Sequence, residues 1–215
     1  MSMLFGGTER RLCVDDRNEE IWVSLYQVTC LLLYVTDIVS KAHIRACLIL
    51  RAFMSHNKYS LTEACILVYV RPIVEHNSVN WSPYTARDIH AIESVQRRFT
   101  KCLRNMSYND HLRYLNIPSL ELRRLHNDLF WCYKVVFRLV LVSFDDLFVF
   151  SPCQVTRKHA FKLFKRQNTH CVRANFFSGC VINCWNSLPD GVDFSSFTTF
   201  RRTVKQVDFS RFLRH

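Results

Sequence analysis

The chain is 215 residues long with 49% apolar and 13% aromatic residues, which excludes a polar, disordered tract and leaves room for one sizeable core or two small ones. Four glycines and five prolines are too few for the many tight turns of a β-sandwich or barrel, so helices joined by short connections are expected. Lys and Arg total 29 against 18 acids, a formal charge of +11, and an excess of that size points to nucleic acid first and an anionic membrane surface second.

Met1 to Gly7 is apolar but short, lacks a basic leader and runs into Thr8-Glu9-Arg10-Arg11. It is not a secretory signal, so an intracellular location, nuclear or cytoplasmic, is expected, with the ten cysteines reduced. Asp15-Asp16 follows an apolar run, and two-metal polymerases hold Mg²⁺ on such paired carboxylates. Here Cys13 stands where an aromatic residue is expected and no third carboxylate strand precedes it, so the pair reads as a surface turn. Ile21 to Val35 is the most apolar stretch, at 15 residues. A bilayer needs roughly 20, and Asp15, Asp16, Glu19, Glu20 and Asp37 flank it; a core helix or strand is expected, with no membrane span.

From Asp37 to about Ser55 apolar and basic faces alternate at helical spacing. Leu61 to Ile73 reads as a buried helix that Pro72 should kink or stop. Ser82-Pro83 has the form of a helix start, with Ser at the N-cap and Pro at the first helical position. Behind it Ile89, Ile92, Val95, Phe99 and Leu103 form an apolar stripe, and Arg87, Arg97, Arg98, Lys101 and Arg104 lie largely off it. Such a basic face serves either solubility or phosphate contact. Ile117-Pro118-Ser119 opens the longest helical candidate, striped by Leu122, Leu125, Leu129, Cys132, Val136 and Leu139, with Arg123, Arg124, Lys134 and Arg138 outside the stripe. A short apolar segment, Phe144 to Phe150, ends at Ser151-Pro152.

Beyond it the composition changes. No acid occurs from Leu147 to Pro189, while Arg157, Lys158, Lys162, Lys165, Arg166 and Arg173 interleave with Phe161, Phe164, Phe176, Phe177 and Trp185. Basic groups beside aromatic rings suit single-stranded nucleic acid. The basic run 157–166 is the better contact surface, since Phe176, Phe177 and Trp185 read as core. Phe197, Phe200, Val204, Val207 and Phe212 predict a final amphipathic helix carrying Arg201, Arg202, Lys205 and Arg211. The expected fold is mainly α: an irregular helical bundle, then a basic helical C-terminal subdomain with little strand. A boundary near residue 150 divides the chain into 1–36, 37–150 and 151–215.

Catalytic signatures are missing. There is no Gly-rich phosphate loop, no His-Glu-x-x-His and no Gly-x-Ser-x-Gly. Cys180 and Cys184 stand one helical turn apart, with His159, His170 and Cys171 nearby in sequence. Zinc ligand sets usually arrive as two tight pairs, so these read as ordinary buried thiols and no metal or cofactor is assigned.

Several ordered strings resemble one family. Trp81-Ser-Pro-Tyr84, Ile92-Glu-Ser-Val-Gln-Arg-Arg-Phe-Thr-Lys101 and Ile117-Pro-Ser-Leu-Glu-Leu-Arg-Arg124 are similar to the segment that follows the polymerase core in jockey-like non-LTR retrotransposon reverse transcriptases. Upstream, Asp37-Ile-Val-Ser-Lys-Ala-His43 and Tyr69-Val-Arg-Pro-Ile-Val-Glu75 resemble the end of the palm and the thumb. Downstream, Thr156-Arg-Lys-His-Ala-Phe-Lys-Leu-Phe-Lys165, Val172-Arg-Ala-Asn-Phe-Phe-Ser178 and Val181-Ile-Asn-Cys-Trp-Asn-Ser-Leu-Pro189 resemble the C-terminal region. The likeness covers about residues 37–205; residues 1–36 stand outside it, the link after Lys101 is short, and Lys158 replaces the family's usual Gly.

The resemblance implies a thumb and tail of an RNA-directed DNA polymerase, inert by itself, because the family's metal-binding aspartates lie well upstream of the segment matching Asp37. Magnesium is then expected only in the intact polymerase. Arg87, Arg97, Arg98, Lys101, Arg123 and Arg124 become candidates for holding template–primer phosphates. Arg157, Lys158, Lys162, Lys165 and Arg166 become candidates for RNA binding by the tail. The implied partners are RNA or an RNA–DNA hybrid without sequence preference, the palm, or a second copy of the chain. The alternative is an inert helical protein-interaction module or a decayed retroelement product.

Overall fold

A computed structural model describes residues 16–52, 66–76, 78–81, 83, 85–101, 106–152, 159–165 and 177–214. Predicted features at 1–15, 53–65, 102–105, 153–158 and 166–176 lie outside the described residues, among them Arg104, Arg157, Lys158, Arg166, His170, Cys171 and Phe176.

The structure is mainly helical. Helix α1 (Asp16–Ala52) is 37 residues long, a rod of about 55 Å. The apolar stretch from Ile21 and the periodic stretch from Asp37 therefore belong to one helix rather than two elements. Asp16 lies within that helix, and Asp15 lies outside the described residues. Where side chains are described, Val35, Ile38, Ala42, Ala46 and Ile49 form its buried stripe. The two alanines keep the stripe shallow, which lets a neighbouring helix approach closely.

A π-helical turn, Ile66–Val70, runs into α2 (Arg71–Glu75). Pro72 sits in the first turn of α2, where its missing N–H costs nothing. The predicted buried helix is thus half exposed here: Val70 and Val74 face the core, whereas Val68 and Tyr69 face outward. After α3 (Ser78–Trp81) comes α4 (Ala86–Thr100). Helix α4 starts later than Ser82-Pro83 predicted. Thr85 makes the cap, accepting from Asp88 N at 3.2 Å and donating to the Asp88 carboxylate at 2.6 Å.

Helix α5 (Tyr108–Tyr114) is capped by Ser107, which accepts from Asp110 N. Its last turn closes through Asn116 at φ 51°, with Ile117 N donating to Leu112 O at 2.9 Å. Asn tolerates that left-handed position better than most residues. Helix α6 (Leu120–Val136), predicted as the longest, is shorter than α1 but begins where expected, with Ser119 accepting from Leu122 N. Leu129, Cys132 and Val136 of its stripe are buried, and Leu139, beyond the helix end, is exposed.

Helix α7 (Phe144–Leu147) leads into an isolated antiparallel bridge between Phe150 and Leu163. Helix α8 (Phe177–Asn186) and helix α9 (Phe197–Val204) complete the helical set, with a 3-10 turn at Ser210–Phe212. The final amphipathic helix is shorter than predicted: a Ser196–Thr199 capping box opens α9, and Val207 and Phe212 lie past its end.

Two core clusters share α6. The first gathers the α1 stripe, Val70, Val74, Ile92, Val95 and Leu120. The second gathers Leu129 to Val136 with Phe144, Phe148, Leu163, α8 and α9. Packing changes over within α6, and residues on both sides of 150 share the second core. The expectation for Phe177 and Trp185 holds, since both are buried there.

The string Trp185-Asn-Ser-Leu-Pro189 has a structural role in this core. Trp185 Nε1 donates to Phe161 O at 2.6 Å. Asn186 clamps Leu163 from both sides, accepting from its N–H at 2.9 Å and donating to its carbonyl at 2.8 Å. Ser187 Oγ donates to Cys184 O, and Leu188 is fully buried. Those bonds satisfy Phe161 O and both backbone groups of Leu163, in a segment otherwise tied by the bridge bonds from Ser151 N to Lys162 O and from Phe164 N to Val149 O.

Candidate nucleic-acid interface

Helix α4 divides its side chains by face. Its inner face carries Ile89, Ile92 and Val95 with an unusual set of buried polar groups: Asp88, Glu93, Gln96 and Thr100. Glu93, fully buried, accepts from Leu120 N at 3.1 Å and from the Tyr108 hydroxyl, which ties α4 to α5 and α6. Gln96 Nε2 donates to Pro118 O at 3.2 Å, and Arg71 Nη2 reaches both Gln96 Oε1 and Pro118 O at 3.4 Å. Burial, with Arg123 nearby, lowers the Arg71 pKa to about 10. Burial first and Glu93 second push the Tyr108 hydroxyl well up, so it remains a donor.

The outer face of α4 carries Arg87, His90, Arg97, Arg98 and Lys101, all exposed and with no acid among them. At about 3.6 residues per turn these positions fall on one side of the helix. Tyr108, anchored by Glu93, also lies under the Arg97 guanidinium at 4.9 Å from the ring centre, which limits that side chain's freedom. Arg98 stands near α1: burial first and the Arg98 charge second lower the pKa of His43, whose Nε2 meets Ser94 Oγ at 3.1 Å. Four of the predicted phosphate-holding residues are thus brought together on one surface.

The other two on α6 are not. Arg123 is bound bidentately by Glu75, with Nη2 donating to Oε2 at 2.8 Å and Nε to Oε1. That hydrogen-bonded carboxylate raises its pKa. Arg124 is only 4% exposed, so neither is exposed as α4's cations are. Sequence periodicity put both outside the apolar stripe of α6, but two cores and the returning C-terminus enclose that helix on more than one side. In the tail, Lys162 is half-buried, whereas Lys165 is exposed and donates to Asn183 Oδ1 at 3.2 Å. The exposed cations of α9 and the turn beyond it, Arg201, Arg202, Lys205 and Arg211, were legible as a basic face but absent from the predicted contacts.

Arg124 instead forms the floor of a pocket of about 390 Å³ between α6, α8 and the C-terminal segment, whose lining includes Glu121, Asp128, Lys165, Cys184 and Arg214. Neither Arg124 Nη nor Asp128 Oδ1 has a hydrogen-bond partner among the described residues. Burial raises the Asp128 pKa to about 7, against the opposing pull of Arg124. The Cys184 thiol, pushed up to about 12 by burial and then by the Asp128 charge, stays protonated, and Cys180 shifts the same way. Nothing in the sequence pattern signalled this pocket, because its lining comes from five separate stretches of chain.

The Asp128 shift has a stability consequence. Its folded pKa lies above its unfolded value of 3.8. The contribution is therefore fully present below pH 3.8 and is lost as pH rises through about 7. Asp128→Asn should stabilise the protein at pH 8 and flatten the decline between pH 4 and 7, measured by urea midpoints across that range.

Among the described residues no group of three or more His, Cys, Asp or Glu is placed to hold a metal ion, and no helix is long and apolar enough to cross a membrane. No protein-family model matches the chain, and no curated protein and no solved structure matches it either.

Proposed function

We propose that the chain is the gripping portion of a retrotransposon-type RNA-directed DNA polymerase, holding RNA or an RNA–DNA hybrid through phosphates while the polymerase chemistry belongs elsewhere. The observation that carries this reading is the outer face of α4, where Arg87, Arg97, Arg98 and Lys101 are exposed together without an acid. Each of the helix's two faces has a separate task. Its buried polar face locks it to α1, α2, α5 and α6, and a helix fixed in that way presents its cations at a constant spacing. The ordered strings from Asp37 to Pro189 agree with a thumb and tail, and the clamp of Trp185 and Asn186 on residues 159–165 suits a tail that holds out Lys165.

Fluorescence anisotropy with labelled RNA and hybrid duplexes tests the reading. Log Kd should rise linearly with log salt, and Arg97→Gln/Arg98→Gln/Lys101→Gln should lower the slope by roughly two to three. Binding indifferent to salt, or none at low salt, would overturn it. A second reading, a protein-interaction module, is favoured by the exposed Leu33, Ile44 and Leu48 of α1, at 65%, 62% and 56% exposure. Self-association without salt-dependent RNA binding would select it.

A further inference from the structure

The pocket on α6 has the makings of a small-ligand site that the phosphate-gripping face does not account for. Buried charged groups normally have their hydrogen bonds satisfied, and leaving them unmet is costly. Arg124 and Asp128 sit one helical turn apart, both buried, and present two guanidinium nitrogens and a carboxylate oxygen with no hydrogen-bond partner among the described residues. Neighbouring acids do not meet that need: Glu75 is engaged by Arg123, and Glu93 by Leu120 and Tyr108. Glu121 Oε1 accepts from Arg214 N at 3.0 Å.

Size and charge narrow the occupant. A volume of about 390 Å³ lies within the range of pockets that enclose small organic ligands and cofactors. The lining cations are Arg124, Lys165 and Arg214; its carboxylates are Glu121 and Asp128. A ligand should therefore bring net negative charge together with an edge that both accepts and donates hydrogen bonds. An amino acid zwitterion is smaller and neutral. A nucleotide has both properties: Arg donates to the acceptors of a base, and a carboxyl accepts from its N–H groups.

We propose that this pocket binds a nucleotide, the base edge against Arg124 and Asp128 and the phosphate towards Lys165 and Arg214. The nucleotide is either free or an unpaired unit of a strand; the recognition chemistry is shared. The assignment stands on the pocket alone and does not require the α4 surface to bind nucleic acid.

Isothermal titration of the full chain with GMP, AMP, CMP and UMP tests it, beside inorganic phosphate and an L-amino acid mixture. At least one nucleotide should bind more tightly than phosphate. Arg124→Met should weaken that binding by roughly tenfold or more, while the Arg97→Gln/Arg98→Gln/Lys101→Gln variant binds as wild type. The methionine variant removes the charge that Asp128 and Glu93 act on, so some destabilisation is expected, and circular dichroism establishes that it is folded before titration. If it fails to fold, Asp128→Asn and Lys165→Gln carry the same test. A short oligonucleotide binding more tightly than its mononucleotide, with the same sensitivity to the substitution, assigns a strand; equal affinity assigns the free nucleotide. No nucleotide binding, binding no tighter than phosphate, preference for amino acids, or affinity untouched by the pocket substitutions would each overturn the proposal. Loss of salt-dependent RNA binding in the α4 variant with nucleotide binding intact would separate the two sites.

Discussion

Replacing Trp185 with alanine should destabilise the protein by about 3–5 kcal/mol, the cost of emptying a large, fully buried aromatic site. Trp185 has no solvent exposure and packs against Phe194 at 5.5 Å and Phe200 at 5.7 Å between ring centres. The substitution also removes the Trp185 Nε1 donor from Phe161 O. Trp185→Phe separates the two effects: it keeps most of the packing and loses the hydrogen bond, so about 1–3 kcal/mol is expected. Urea unfolding followed by circular dichroism measures both. A loss below about 1 kcal/mol for the alanine variant, the level of a surface change, would contradict the packing described.

The second large effect is expected at Glu93. Its carboxylate is the acceptor for Leu120 N and the Tyr108 hydroxyl, and its charge acts on Arg71 and Arg124. Glu93→Ala leaves a helix N-terminal amide, a hydroxyl and two buried guanidinium groups without it. Removing one partner from such a buried charged network costs about 3–5 kcal/mol. Glu93→Gln retains an acceptor oxygen and the side-chain shape, and should cost less. The consequence reaches α4's outer face, because the same network holds Tyr108 beneath Arg97. Partly folded Glu93→Ala protein should therefore bind RNA more weakly than wild type at equal salt, although no cation has been removed. Unchanged stability would show that the junction is dispensable.

Both expectations concern residues whose burial had different visibility in the sequence. Trp185 was legible as core from its aromatic neighbours and spacing. Glu93 was not: a glutamate on a helix rich in arginine reads as a solvated surface charge. It is buried because Leu120 opens a new helix against it, and the free amide of that helix start requires an acceptor.

By itself the sequence determined the helical class, the helix start at Ser119, the apolar stripes, and the basic face of α4. These depend on local backbone chemistry and on spacing within a single element, which one stretch of chain contains. Only the tertiary structure decided which arginines reach solvent. Arg97 and Arg98 remain exposed on the outer side of α4. Arg123 is drawn to Glu75, and Arg124 is enclosed where α8 and the C-terminal segment close over α6. The pocket beside Arg124 has the same origin: residues from 83 to 214 meet in it, and such long-range closure leaves no periodic trace in any one segment.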